Sequence, residues 1–137
     1  MTGPSAGERA RELFVLVDGQ RTDELLACFA PGAVMELPFA PGSMPKRYDG
    51  VDAIAEFMAL ARDSFSPFSM IVDAVHETTD PRLVVVEHHA DATVAANGRP
   101  YRNRYVTFVR FDDHGRVVQW REYYDAGEIV RAFRPGG

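Results

Sequence analysis

Residues 101 to 124 contain two runs of alternating apolar and polar side chains, Tyr101-Arg-Asn-Arg-Tyr-Val-Thr-Phe-Val-Arg-Phe111 and Val117-Val-Gln-Trp-Arg-Glu-Tyr-Tyr124, separated only by Asp112-Asp-His-Gly-Arg116. A period of two sustained over such lengths predicts strands, and a short gap containing Gly115 predicts a hairpin turn. A lone two-stranded ribbon is not stable in water. The rest of the chain must therefore add strands to it and cover its apolar face. The second run also carries a carboxylate, Glu122, on the face it shares with Val118, Trp120 and Tyr124. A charge held among such side chains is costly. Its pKa should rise, which makes Glu122 a candidate proton carrier.

The upstream sequence supplies the missing elements. Ala10, Leu13, Phe14 and Val17 recur at helical spacing from Glu8 onward, with a stop at Asp18-Gly19. Thr22 is suited to cap a second helix carrying Leu25, Leu26 and Phe29 on its apolar side, with Pro31-Gly32 ending it. Residues 33–37 form a short strand, and residues 38–49, with Pro38, Pro41 and Pro45, form a loop at a rim or lid. Gly50-Val51-Asp52 opens a third helix with Val51, Ile54, Phe57, Met58, Ala61 and Phe65 on one side. Strands are expected over 68–78, 82–96, 100–111 and 117–124, with Asn97-Gly98 as a hairpin signal, and a short helix over 126–133. The expected architecture is α+β: one domain over residues 8–133, flexible termini at 1–7 and 134–137, and a curved, mostly antiparallel sheet around three N-terminal helices with an apolar pocket between them.

Composition narrows the partners. With 137 residues and a net charge of −5, the chain has no basic patch for nucleic acid and no polybasic segment for anionic lipid. No apolar run reaches the ~20 residues of a membrane span, and the first residues lack the pattern of a signal peptide. A cytoplasmic location is expected. The single Cys28 excludes an internal disulfide and a multi-cysteine zinc site; it is expected as a buried structural thiol. His88, His89 and Asp91 do not converge, because successive strand residues point to opposite faces, so no metal is expected. The absence of a nucleophile elbow, a phosphate loop or a dinucleotide fingerprint points to no cofactor. Arg102, Arg104, Val106, Phe108 and Arg110, with Val117, Gln119, Arg121 and Tyr123, form an outer face suited to a homodimer interface.

The segments Phe29-Ala-Pro-Gly-Ala-Val34, Tyr48-Asp-Gly-Val-Asp-Ala-Ile54 and Trp120-Arg-Glu-Tyr-Tyr-Asp125, in this order, resemble the NTF2-like superfamily, in particular its SnoaL-like and phenazine-biosynthesis A/B-like branches. The resemblance implies a cone-shaped fold whose members include isomerases, cyclases, epoxide hydrolases, dehydratases and binders without activity. The positions of the ketosteroid isomerase machinery fall on Leu37, Leu13 and Thr107, so that chemistry is not carried over. Comparison with limonene-type epoxide hydrolases places Glu122 on one of their aspartates, His88 near their arginine and Ala90 near the other aspartate. The acid/base glutamate of the phenazine type matches Glu122, whereas its histidine and serine fall on Phe57 and Ala61.

Glu122 is thus expected as the catalytic acid/base; parity turns one of His88 and His89 toward the cavity and the other outward, and the epoxide-hydrolase comparison favours His88 as the assisting residue. Trp120, Tyr105, Asn103, Thr107, Tyr124, Phe57, Leu37 and Phe14 are expected to form the substrate site. Glu36 and Asp73 are expected at the solvated face. The implied activity is cofactor-independent isomerisation, cyclisation or dehydration of a hydrophobic small molecule such as a polyketide-type intermediate. An epoxide hydrolase and a non-catalytic binding or dimerisation module are the alternatives.

Overall fold

The computed structural model describes residues 3–134. The element order is α1 (Ala6–Asp18), α2 (Thr22–Leu26), β1 (Phe29–Glu36), β2 (Arg47–Asp49), α3 (Val51–Ser64), β3 (Phe65–Glu77), β4 (Leu83–Val94), β5 (Pro100–Phe111), β6 (Val117–Tyr124) and α4 (Ala126–Phe133). The strands form one curved open sheet in the order β2-β1-β6-β5-β4-β3. Every pairing is antiparallel except β1 with β6, which is parallel.

The two runs at the end of the chain become β5 and β6 at the expected boundaries, because alternation and turn chemistry agree there. Gly115 takes φ 76° in the connecting turn, a conformation that costs a glycine little. A register shift next to Phe111 changes one expected orientation. Val117 was placed on the outer face, yet it is wholly buried, paired with Phe111 and Phe29, while Val118 is half-buried at the bulge. An extra residue in one strand shifts the alternation by one.

The first half of the chain departs from expectation in more places. Helix α1 begins at Ala6, inside the segment expected to be flexible, because Ser5 and Glu8 form a reciprocal cap of 3.0 and 3.1 Å. Residues 1, 2 and 135–137 of the expected flexible termini lie outside the described residues. Thr22 is not a cap but the first residue of α2; Arg21 precedes it without a side-chain cap bond. Phe29 and Pro31-Gly32 lie in β1 and not at a helix end, and the β1–β6 register shifts between Phe29 and Val34. Proline is tolerated in a strand at such an irregularity. The segment 38–49 is not all loop, since Arg47–Asp49 pairs with β1. Cys28 follows α2 as a half-buried thiol against the Glu24 carbonyl, and burial pushes its pKa up.

Helix α1 packs on β3 and β4, burying Ala10, Leu13 and Phe14, while α3 packs on β1 and β2. The β4 pattern alternates strictly, so Val84, Val86, His88, Ala90 and Ala92 face the core. Among the described residues no helix is long and apolar enough to cross a membrane.

Candidate active site

The β5–β6 register sets Glu122 opposite Thr107 and Trp120 opposite Val109, and the β4–β5 register sets His88 opposite Tyr105. From its place two residues before Glu122, the Trp120 indole N–H donates to Oε1 of Glu122 at 3.2 Å. On one side Thr107 stands opposite Glu122 across the β5–β6 ladder. On the other, its hydroxyl lies 2.7 Å from Nε2 of His88. The second nitrogen of His88, Nδ1, lies 3.1 Å from the Met70 sulfur. A thioether can only accept a hydrogen bond. Nδ1 therefore carries the hydrogen and Nε2 the lone pair, so the Thr107 hydroxyl donates to His88.

Burial acts in the same direction at both ends of this chain of contacts. It raises the Glu122 pKa from 4.5 to about 7, against the opposing pull of the Trp120 and Thr107 side chains. It lowers His88 from 6.5 to about 3, so the imidazole is neutral at physiological pH. Phe14 and Tyr105 close over the imidazole, with ring centroids at 4.5 and 4.9 Å. His88 is buried, but it lies behind Thr107 and does not touch Glu122 directly.

Glu122 opens on a cavity of about 210 Å³. The wall is mostly apolar, from Leu16 on α1, Leu25 on α2 and Met35 on β1 to Met58 on α3 and Phe65 on β3. Glu122 is the only carboxylate among the described lining residues. Of the expected substrate-binding residues, Trp120, Tyr105, Tyr124 and Phe57 line this cavity. Asn103, Thr107, Leu37 and Phe14 do not, and His88 is likewise outside its wall. Each of these five is committed elsewhere. Asn103 donates from Nδ2 to the Tyr101 hydroxyl and the Asp125 carbonyl, and its Oδ1 accepts from the Arg104 and Asp125 amides. Thr107 and Leu37 are wholly buried, and Phe14 sits beneath Trp120 with centroids 5.3 Å apart.

Lining residues that the sequence did not single out for this role include Tyr101, Ile129 and Phe133. Tyr101 shares the parity of Tyr105, and Ile129 and Phe133 are four apart on the strongly amphipathic α4, so the signals were present. The Tyr101 and Tyr105 hydroxyls are 2.5 Å apart. Burial pushes Tyr101 up to about 12 and Tyr105 well above its ordinary value, so both stay protonated. On the opposite sheet face His89 pairs with Asp73 at 2.8 Å, and Glu36 accepts from Gln119 at 2.7 Å, as their parity requires. Among the described residues no group of three or more His, Cys, Asp or Glu side chains is placed to hold a metal ion.

The fold and site have relatives. YesE of Bacillus subtilis (strain 168) is 32% identical over 101 residues, covering 74% of this chain and 68% of its own. The PhzA/B-like protein PA3332 of Pseudomonas aeruginosa is 28% identical over 97 residues, covering 71% and 67%. A crystal structure from Bacillus subtilis carrying a provisional isomerase designation superposes with a TM-score of 0.83 at 27% identity, covering 96% of this chain and 94% of that one. Residues 10–120 match the SnoaL-like domain. With that match over most of its length and an NTF2-like arrangement of sheet and helices, the chain belongs to the SnoaL-like domain family.

Proposed function

We propose that this protein is an acid/base enzyme that works without a cofactor on a hydrophobic small molecule, moving a proton through Glu122 to isomerise, cyclise or dehydrate it. The observation that carries this reading is a carboxyl with a pKa of about 7 in the wall of an apolar cavity. Proton transfer is most effective when the catalytic pKa lies near the working pH. Thr107, backed by His88, acts as a positioning residue opposite Glu122. Membership of the SnoaL-like family and the isomerase designation of a structural relative support a small-molecule isomerase or cyclase. A polyketide-type intermediate and a cytoplasmic setting fit the apolar cavity and the acidic chain. A single carboxylate at the cavity favours proton transfer over the paired acids that an epoxide hydrolase of the limonene type uses to hold water.

The test is turnover of a panel of polyketide-type ketones and epoxides followed by mass spectrometry. Isomerisation and cyclisation keep the mass, dehydration removes one water, and epoxide opening adds one. Glu122→Gln is expected to lower turnover by about 10²-fold or more. Wild-type kcat/KM should rise through pH 7 as Glu122 becomes the base. Turnover in the variant equal to wild type would remove Glu122 from the mechanism.

The chain is further proposed to pair with a second copy through the outer sheet face. Val106, Phe108 and Tyr123 there are half-buried, and Arg121 lies 4.9 Å from the Phe108 ring centroid. The Nε of Arg121 is enclosed with no hydrogen-bond partner among the described residues.

A further inference from the structure

We propose that Tyr124 selects the ligand of this cavity: its phenol donates a hydrogen bond to a neutral acceptor oxygen, of the ketone or ether class, on an otherwise apolar molecule. This rests on the reading of the cavity as a substrate site and adds the chemistry of the ligand's polar end.

Trp120, Glu122 and Tyr124 project from the same face of β6, and all of them line the cavity. The polar groups around them pair off one by one. The Trp120 indole is taken by Glu122, the Tyr105 hydroxyl by Tyr101, and the Asn103 amide by Tyr101 and Asp125. The Tyr124 hydroxyl is the one left over. It is enclosed, with no hydrogen-bond partner among the described residues, on a side chain only 8% exposed. Enclosed polar atoms are nearly always paired, so each exception calls for an explanation.

The position of the hydroxyl favours a ligand as that explanation. Its charged and titratable neighbours are Glu122, Tyr101 and Tyr48, and its ring meets Tyr105 edge-on at 5.7 Å. Except for Tyr48, these residues are part of the cavity wall. Burial raises the Tyr124 pKa, so the phenol stays protonated and can act as a donor. The polarity of the acceptor follows from the charges. The cations in the wall, Arg21 and Arg62, are about half exposed, and Arg21 is tied to Glu24. Among the described residues no cation is paired with Glu122, so an anionic ligand end at Tyr124 would face the ionised carboxylate uncompensated. A neutral oxygen meets no such repulsion.

The experiment uses 2-tetralone and tetralin, one bicyclic frame with and without a carbonyl, together with 2-naphthoate. Binding is read from the fluorescence of Trp120, the sole tryptophan and part of the cavity wall. Wild-type protein is expected to bind 2-tetralone about tenfold more tightly than tetralin, and more tightly than 2-naphthoate. Tyr124→Phe should keep its affinity for tetralin and lose the preference for the ketone. Glu122→Gln should retain that preference. Equal affinities in wild type, a ketone preference that persists in Tyr124→Phe, tighter binding of the carboxylate, or no binding of the neutral probes would each overturn the proposal. The wild-type comparisons decide even if the phenylalanine variant does not fold. Loss of the ketone preference with Glu122-dependent turnover intact removes only the role of Tyr124. The preference without turnover leaves a binding protein whose donor is Tyr124.

Discussion

Glu122 and His88 contact the same threonine, and burial pushes their pKa values in opposite directions. Their effects on stability therefore have opposite signs. Folding raises the Glu122 pKa from 4.5 to about 7, so the native state holds a proton that the unfolded chain has released across that interval. The associated stability is complete below pH 4.5 and is lost as pH rises through 7, by up to about 3 kcal/mol. Folding lowers His88 from 6.5 to about 3, so its contribution is present above pH 6.5 and is lost as pH falls toward 3. Between pH 4.5 and 6.5 the two slopes oppose each other. Glu122→Gln removes one of them. In urea denaturation the variant is expected to be more stable than wild type at pH 8 by about 1–3 kcal/mol, with the gain shrinking toward pH 5. An unchanged difference across that range would show that Glu122 keeps an ordinary pKa. The orientation of Glu122 was legible from strand parity, whereas parity showed only that one of His88 and His89 turns inward, and the buried one is His88. The place of the Thr107 hydroxyl between Glu122 and His88 was not legible, since Thr107 was expected at the substrate and its contact with His88 depends on the register of neighbouring strands.

At the level of elements, Asn103 was expected to hold substrate, and in the structure its amide is engaged by Tyr101, Arg104 and Asp125. It ties β5 to the junction of β6 and α4 through both the amide and the carbonyl of Asp125. Asn103→Ala is expected to cost about 2–4 kcal/mol in denaturant unfolding while leaving tetralin affinity near wild type. A variant of wild-type stability with weakened binding would restore the substrate role. The strands β5 and β6 were legible to the residue because a period of two and a glycine turn both mark them. Strand β1 was half legible, because Pro31-Gly32 carries the signature of a helix end and only the irregular register of the parallel pairing accommodates it. Strand β2 was invisible, since three residues are too few to show a period. The same limit applies to pocket lining: strand parity gave Trp120, Tyr105 and Tyr124, but inward orientation alone did not separate them from Phe14 and Leu37, which are sealed beneath neighbouring side chains.

For the whole molecule, the outer sheet face is the surface on which a second copy is proposed to rest. Phe108→Asp places a charge among Val106, Arg121 and Tyr123 and is expected to convert a dimer to a monomer in sedimentation velocity. A wild-type protein that sediments as a monomer at high concentration would dispose of that interface. The sheet order has a further consequence for synthesis. Strand β6 lies between β1, from the start of the fold, and β5, and it also carries Glu122 and Tyr124. While the chain emerges from the ribosome, β1 and β2 have no partner joining them to the rest of the sheet until β6 arrives. Translation that stops before β6 yields neither a closed fold nor a proton carrier, so structure and chemistry arrive together with the last strand.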